Sequence, residues 1–293
     1  MGDQTFDPSQ FGNASKPVAT QPKEELPAFE FSPENFRQHQ QSLEDAKRQE
    51  LIELRQLPLG PVKRWSFSGW SNFRNCPYAV KLSKVDGCPD PAGPAADRGN
   101  RVHLNIEDFI QGKHDELCKE AKKHFETLIR YLRDQFNDGR VEIEGEWGFD
   151  RDWEICQWGS EEAWARVKLD AIEFESPTSA YMYDWKTGRK FGNELKHAEQ
   201  LQLYAIGAFM RFPELEFVTG EMIYLDKNDR LKAHYTRAEA MEFIDKWNRR
   251  GHRMTTTVNF EATPSEHACK WCPHAKVQEG EDGPACTYRH IAN

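Results

Sequence analysis

The sequence predicts an α/β fold in which helices flank a central mixed β-sheet. Three observations lead to this prediction. Residues 167–172 and 183–188 alternate apolar and polar side chains, as strands do, and the Ser-Pro-Thr run at 176–178 supplies a turn between them. Residues 195–212 instead carry apolar side chains at helical spacing. Strand, turn, strand and helix in this order place the ends of the two strands side by side.

Charged side chains occupy those strand ends. Asp184 and Lys186 are two residues apart, so they share one face of their strand, whereas Trp185 points into the opposite layer. Asp170 lies on the neighbouring strand. Two close carboxylates favour a hard cation such as Mg²⁺ or Mn²⁺, and a nearby lysine can position a water or steady a phosphate. The trio is typical of metal-assisted phosphodiester hydrolysis, although an isolated Asp-x-Lys is more often a solvated pair.

The N-terminal part of the chain predicts an arm that precedes the globular domain. Residues 1 to about 32 are polar and lack apolar periodicity, so we expect disorder or an extended arm. A Ser-Pro-Glu start at 32–34 begins a charged helix, which ends at the proline-rich linker 57–61. We therefore divide the chain into an arm over residues 1–60 and one domain over residues 61–293.

Helices, a hairpin and two further strands are predicted through the rest of the domain. In chain order these are a helix at 66–78, a helix opening at 99–103, a helical stretch over 105–136 broken near Gly112, a hairpin over 141–158, strands at 216–226 and 231–235, and a helix over 236–250. Phe125, Ile129, Leu132 and Phe136 share one face of the long helical stretch, which predicts core positions.

The composition is that of a globular protein that works inside the cell. The 293 residues are 38% hydrophobic and include nine tryptophans, which is enough for a sizeable core. No apolar run reaches membrane-spanning length, and residues 1–19 lack the regions of a signal peptide, so we expect a cytoplasmic protein without membrane contact. The net charge of −9 argues against coating nucleic acid by bulk attraction, but it permits a local basic groove.

Further motif residues complete an ordered set. His103 stands at a helix start, Glu146 lies in an earlier strand, and Gln200 and Tyr204 are one helical turn apart. Over residues 65–290 the chain resembles the PD-(D/E)XK nuclease superfamily in its RecB-like exonuclease branch, whose motifs correspond in order to Gly99/His103, Glu146, Asp170, Asp184/Lys186 and Gln200/Tyr204. Each motif is weak alone, whereas the ordered set with family-like spacing is specific.

The resemblance implies a metal-dependent DNA exonuclease with defined roles for these residues. It implies that Mg²⁺ or Mn²⁺ is held by His103, Asp170, Asp184 and the backbone carbonyl of Trp185. Lys186 would position or activate the attacking water. Glu146 and Gln200 would orient the water or the groups behind the ligands, and Tyr204 would support the lysine or a DNA phosphate.

Basic residues gather around these motifs and are candidate contacts for the DNA backbone. They are Arg98, Arg101, Arg189, Lys190 and Lys196. A second basic group, over residues 246–253, ends a later helix and is more typical of side chains that complement the helix dipole.

The C-terminal cysteines predict a second metal centre. Cys269 and Cys272 form a Cys-x-x-Cys pair, whose two thiolates can hold one metal ion or cluster, and Cys286 follows within the segment 263–290. In the resembled branch, which includes the CRISPR-adaptation nuclease and AddB nuclease domains, one N-terminal and three C-terminal cysteines bind a [4Fe-4S] cluster. The resemblance therefore implies cluster ligands at Cys76, Cys269, Cys272 and Cys286.

Zinc is the alternative at this centre, because cysteine spacing alone does not fix the metal. The gap from Cys272 to Cys286 is longer than in those relatives, and a histidine could replace one cysteine: His267, His274 or His290.

The resemblance also implies a substrate and a class of partners. The substrate would be DNA with free ends, and the setting would be phage or bacterial recombination, repair or DNA degradation. A recombinase, a single-strand annealing protein or a helicase would act with the nuclease, and a homo-oligomer is compatible with it. Two alternatives stay open: a DNA-end-binding or assembly module, and an endonuclease of the same fold.

Overall fold

A computed structural model describes residues 32–91, 93–188, 190–277, 280 and 282–289, so the predicted arm over 1–31 lies outside the described residues. The chain divides into two compact units, Met1–Asp45 and Ala46–Asn293. The α-helices of the described part are α1 (Pro33–Gln56), α2 (Phe67–Asn75), α3 (Pro77–Lys84), α4 (Pro94–Ile110), α5 (Lys119–Asn137), α6 (Glu194–Arg211), α7 (Arg237–Met241), α8 (Ile244–Thr256) and α9 (Glu266–Trp271). In those residues, no helix has the length and apolarity needed to cross a membrane.

In the described part of the chain, seven strands form one mixed sheet, which confirms the predicted fold class. The strands are β1 (Trp65–Ser66), β2 (Val141–Phe149), β3 (Ile155–Cys156), β4 (Ala165–Ser176), β5 (Ser179–Lys186), β6 (Phe217–Tyr224) and β7 (Asp229–Thr236). Their order is β3-β2-β4-β5-β6-β7, with β1 parallel to β4. Strands β5 and β6 are also parallel, because α6 crosses between them, and the remaining pairs are antiparallel.

Prolines account for two differences from the predicted helices, whereas Gly112 agrees with the prediction. The predicted helix over 66–78 is interrupted at Cys76, which is extended because Pro77 follows it and begins α3. The helical region predicted from residue 99 begins earlier, since Pro94 stands in the first turn of α4. Gly112, with a φ of +73°, follows the end of α4, in agreement with the predicted break.

Two hydrophobic cores cover the two faces of the sheet. On one face α2, α6 and α8 enclose a core rich in tryptophan, in which Trp65 stacks on Trp247 at 5.9 Å. Gly251 of α8 lies so close to the ring of Trp65 that a Cβ atom would overlap it. On the other face α4 and α5 pack against Trp185, using the predicted core positions of the long helical stretch. The sheet is therefore covered by a helical layer on each side.

An irregularity in the sheet creates the place where functional side chains meet. Strand β2 pairs with β4 through Ile143↔Ala171 and Gly145↔Leu169, and Glu144 and Asp170 between them are left out of the ladder. Glu144 has a φ of +51°, an unusual backbone conformation for a residue with a side chain. The β4–β5 ladder starts at Ala171↔Tyr183, whereas β5 continues along β6 to Lys186. Strands β4 and β5 therefore separate at Asp170.

Candidate active site

Asp170 occupies the point at which β4 and β5 separate. Its Oδ2 atom accepts a hydrogen bond from the backbone N–H of Trp185 at 2.7 Å, a donor that the β4–β5 ladder no longer uses. Its Oδ1 atom lies 3.0 Å from Nδ1 of His103, and the imidazole donates because an ionised carboxylate can only accept. The two bonds fix the carboxylate of Asp170 between α4 and the end of β5.

Asp184 lies on β5 and points toward α6. Its side chain is 5% exposed, and its Oδ2 atom pairs with Nζ of Lys186 at 2.5 Å. Its Oδ1 atom accepts a hydrogen bond of 2.8 Å from the hydroxyl of Tyr204. The side-chain amide of Gln200 donates a hydrogen bond of 2.6 Å to the same hydroxyl. Trp185 is buried in the opposite core, as the strand alternation predicts.

The charges at the site act on one another. Burial opposes protonation of His103, but the charge and hydrogen bond of Asp170 outweigh it, so the pKa of His103 is raised. Asp184 and Lys186 also act on His103, which places all four groups within electrostatic range. Burial and the charge of Asp184 raise the pKa of Tyr204 far above the ordinary value for a tyrosine, so it stays a phenol that donates to Asp184.

Six of the predicted catalytic or metal-binding side chains therefore meet in two linked groups. One group joins His103 to Asp170, and the other joins Asp184 to Lys186, Gln200 and Tyr204. The backbone of Trp185 connects them, since its N–H binds Asp170 while its neighbours on β5 belong to the second group.

Glu146, also predicted to orient the water, lies apart from both groups. It is partly exposed on β2 and pairs with Lys168 at 3.2 Å, and within the described residues no hydrogen bond or ion pair joins it to either group. The reason is the register of the sheet: Glu146 stands opposite Lys168, two residues beyond the irregularity. Glu144 is the glutamate of β2 that stands level with Asp170.

Two acidic residues near Asp170 were missed by the sequence interpretation. Glu107 and Glu144 line a narrow pocket together with His103, Ile110, Ile143, Asp170 and Trp185. Burial and the nearby Glu144 raise the pKa of Glu107. Glu107 follows His103 by four residues on α4, a spacing that places both on one helical face and could have been recognised. The position of Glu144 depends on the strand register, which the sequence does not display.

The basic candidates fall into different environments. Arg98 binds Asp226 through two hydrogen bonds of 2.7 and 2.9 Å and also contacts Glu120, so its charge is already neutralised within the fold. Lys190 pairs with Asp229 at 2.8 Å. Three further candidates remain. Arg101 is exposed, Lys196 has a pKa lowered by partial burial and by the nearby Lys186 and Arg74, and Arg189 lies outside the described residues.

The donor set at this site suits a hard divalent cation. It combines the carboxylates of Asp170 and Asp184 with the imidazole of His103, and oxygen-rich sites of this kind select Mg²⁺ or Mn²⁺. The buried Oδ2 atom of Asp184 has the ammonium of Lys186 as its charged partner at 2.5 Å. Among the residues that the structure describes, no three histidine, cysteine or acidic side chains are arranged closely enough to hold a metal ion.

The four cysteines that were predicted to hold a second metal centre lie around a separate cavity of about 680 Å³. Cys76, Cys269, Cys272 and Cys286 all contribute to its wall, together with His274. Burial raises the pKa of Cys272 and of Cys286, and the other cavity cysteines add to this effect. The seven cysteines of the chain all lie in the described part, and none of them forms a disulfide. The cavity brings the four thiols together without the close arrangement of a metal centre.

Comparison with known proteins identifies the family. The family model of the PD-(D/E)XK nuclease superfamily matches residues 64–277, which is most of the chain. The chain belongs to this superfamily, and the mixed sheet with Asp184 and Lys186 at the end of β5 agrees with the match. This membership supports nuclease activity. A search of curated proteins gave no match.

Solved structures resemble the chain only weakly. The crystal structure of SSO0001 is 16% identical over 78% of this chain and 92% of that chain, with a TM-score of 0.37. A protein of Eubacterium rectale described as a proposed exonuclease is 14% identical over 75% and 90%, with a TM-score of 0.40. An alkaline exonuclease of Laribacter hongkongensis is 9% identical over 66% and 87%, with a TM-score of 0.27.

Proposed function

We propose that this protein is a metal-dependent exonuclease of the RecB-like branch that hydrolyses phosphodiester bonds in DNA with free ends. One observation carries the proposal. The buried Asp184–Lys186 pair, held by Tyr204, lies beside the Asp170–His103 pair at the point where two strands separate. Carboxylates and a lysine in this arrangement fit the attack of a water on phosphorus.

Each side chain has a task in that reaction. The water oxygen bonds to phosphorus, the bond from phosphorus to the ester oxygen of the leaving nucleotide breaks, and the proton lost by the water ends on that oxygen. Lys186 positions the water and steadies the charge that develops on the phosphate. His103 and Tyr204 hold Asp170 and Asp184 in place through hydrogen bonds of 3.0 and 2.8 Å.

A divalent cation would be held by Asp170 and Asp184, with His103 and the carbonyl of Trp185 beside them. When bound, Mg²⁺ or Mn²⁺ supplies a Lewis acid for the phosphate oxygens and lowers the pKa of a coordinated water. Glu144 and Glu107 add negative charge to the pocket next to Asp170, which favours a cation there.

The test uses end-labelled linear DNA, single-stranded and duplex, incubated with purified protein in Mn²⁺, Mg²⁺ or EDTA. We expect short labelled products that require the metal, and the labelled end gives the polarity of digestion. Lys186→Ala should make no product while its melting temperature stays close to that of the wild type, because the lysine side chain is 22% exposed and belongs to no hydrophobic core.

The other outcomes of the same assay point to different functions. Protein that binds DNA ends but releases no product in any metal would instead be an end-binding or assembly module for a helicase, a recombinase or an annealing protein. Covalently closed circular DNA separates the remaining alternative: nicking or linearisation would make the protein an endonuclease, whereas resistance supports the exonuclease.

A second metal centre is part of this proposal. Cys76, Cys269, Cys272 and Cys286 would hold it, because all four line one cavity, and Nδ1 of His274 in the same wall is buried without a hydrogen-bond partner among the described residues. Analysis of iron, sulfide and zinc in anaerobically purified protein distinguishes a [4Fe-4S] cluster from zinc. Protein that contains neither element, with cysteines that all react with a thiol reagent, would contradict the centre.

A further inference from the structure

Arg166 lies near the start of strand β4, on the same face of that strand as Asp170, and Arg64 lies close to it. Ala165, Val167 and Leu169 point into the tryptophan-rich core, so the alternating positions Arg166 and Lys168 face the other way, as Asp170 does. Arg166 precedes Asp170 by four residues, a separation of about 13 Å along the strand.

Arg166 is a partly buried cation without an acidic partner. Among the described residues, no side chain or carbonyl accepts a hydrogen bond from it, and its Nε atom is buried without a partner. Its guanidinium lies over the ring of Trp158 at 4.9 Å. Burial and the nearby Arg64 lower the pKa of Arg166. A buried charge that faces a like charge costs free energy unless an anion compensates it.

Further cationic groups surround the same place. Arg64 donates to the carbonyl of Ser160 at 2.9 Å, and its Nε atom is likewise buried without a partner. Trp158 and Ser160 line an open cavity of about 590 Å³, and Arg211 lies in its wall with an Nε atom that is buried without a hydrogen-bond partner among the described residues. Two carboxylates line the same cavity: that of Glu146, which pairs with Lys168 at 3.2 Å, and that of Glu162.

We propose that Arg166, Arg64 and Trp158 form a backbone-binding subsite for the same nucleic-acid strand that is cleaved beside Asp170. The planar guanidinium of Arg166 matches two phosphate oxygens, and the ring of Trp158 keeps that guanidinium in place. Phosphates of one strand follow each other at about 3.4 Å along the axis of a duplex, so about four nucleotides separate the two positions. The inference rests on the proposed nuclease function and adds a contact away from the reacting phosphate.

Binding in EDTA tests the subsite without cleavage. The fluorescence polarisation of a short labelled oligonucleotide, single-stranded and as duplex, is titrated with wild type, Arg166→Gln and Arg166→Lys at several salt concentrations. Arg166→Gln should bind about tenfold more weakly, and its salt dependence should correspond to about one phosphate contact fewer. The affinity of Arg166→Lys should lie between those of the wild type and Arg166→Gln, since lysine keeps the charge but lacks the planar guanidinium.

Arg140→Gln is the matched control. Arg140 is an exposed arginine that precedes β2, and its carbonyl bonds the far end of β4 at Phe174. The Arg140→Gln variant should bind DNA with an affinity within about twofold of that of the wild type, because a single surface charge away from the bound strand contributes little. Equal affinities and salt dependences for wild type and Arg166→Gln would overturn the subsite.

Hydrolysis of bis(p-nitrophenyl) phosphate separates this inference from the proposed function. This small diester reaches the metal site but has no strand that extends to Arg166. Arg166→Gln should hydrolyse it at the rate of the wild type while its KM for DNA rises. Wild-type protein that hydrolyses neither substrate would contradict the proposed nuclease. Wild-type protein that hydrolyses both, with Arg166→Gln unchanged on DNA, would contradict the subsite alone.

Discussion

Charges are compensated differently at two positions of strand β4: at Asp170, where the ladder with β5 ends (the acidic end of that ladder), and at Arg166, where β4 begins (the cationic end). At Asp170 both carboxylate oxygens accept hydrogen bonds, one from His103 and one from the backbone of Trp185. At Arg166, on the same face, the guanidinium has no acceptor within the described residues and faces Arg64. A charged group whose hydrogen bonds are all made within the fold is held in a fixed geometry. A charged group without a partner in the fold is instead available to a ligand of opposite charge.

The pKa values of two histidines are shifted in opposite directions. His103 at the acidic end has a raised pKa because Asp170 outweighs its burial. His252, which packs on Trp164 just before β4, has its pKa lowered to about 4 by burial and by Arg151 and Arg55. The charged groups that act on His103 therefore include two carboxylates, whereas those that act on His252 are arginines.

Removal of the buried carboxylate at the acidic end should have the largest effect. Asp184→Asn keeps the shape of the side chain and the acceptor for Tyr204, but it removes the charge that pairs with Lys186. We expect cleavage to fall at least about 1,000-fold, with a small change in melting temperature. Asp229→Asn is the matched control, because it breaks an exposed aspartate–lysine pair with Lys190 and should leave the rate unchanged. A similar loss of cleavage in Asp184→Asn and Asp229→Asn would contradict a special role for the Asp184–Lys186 pair.

The two glutamates of β2 provide the next test. Glu144→Gln should lower the rate of cleavage about 10- to 100-fold, because Glu144 lines the pocket beside Asp170. Glu146→Gln should lower it less than about threefold, since that side chain is exposed and lies outside the pocket beside Asp170, although both glutamates pair with Lys168. Single-turnover rates for both variants at saturating metal measure this difference. A larger loss of cleavage in Glu146→Gln than in Glu144→Gln would instead identify Glu146 as the functional glutamate.

Tyr204 tests whether hydrogen bonds alone set the geometry at the acidic end. In Tyr204→Phe, the Oδ1 atom of Asp184 loses a donor at 2.8 Å and keeps the amide of Gln200 at 3.5 Å, while Oδ2 keeps Lys186. We expect an approximately tenfold lower rate of cleavage and a loss of about 1 kcal/mol in the free energy of unfolding. Steady-state kinetics and urea denaturation give the two quantities. An unchanged rate would show that Lys186 alone holds the carboxylate.

Much of this architecture could be predicted from the sequence because it depends on local patterns. Alternation identified β4 and β5, helical spacing identified α6, and both are properties of short stretches. The predicted partners Gln200 and Tyr204 meet Asp184 because a helical turn presents both on one face.

The remaining features depend on register and on pairing between distant segments. Glu144 stands level with Asp170 only because neither residue takes part in the ladder, at a backbone φ of +51° for which glutamate has no preference. Arg64 reaches Arg166 because β1 pairs in parallel with β4, about a hundred residues later in the chain. No pattern within one segment carries that information.

His252 gives a test at the cationic end that does not involve the catalytic residues. Its Nδ1 atom accepts a hydrogen bond of 3.2 Å from Arg151, and its side chain is fully buried, so the folded protein keeps the imidazole neutral. The folded pKa of about 4 lies below the unfolded value of about 6.5. As pH falls through this window, the unfolded chain takes up the proton first, and stability is lost, by about 2 kcal/mol at pH 5.

Urea denaturation of the wild type and of His252→Gln at pH 7 and pH 5 isolates this contribution. The variant should be less stable at pH 7, because glutamine fills the buried site less well, but it should lose about 2 kcal/mol less than the wild type between the two pH values. Other buried groups, such as His197 with its pKa lowered to about 4, contribute equally to both proteins and cancel in the difference. Equal losses in the two proteins would mean that His252 takes up a proton in the folded protein as readily as in the unfolded chain, so that burial and the two arginines do not keep it neutral.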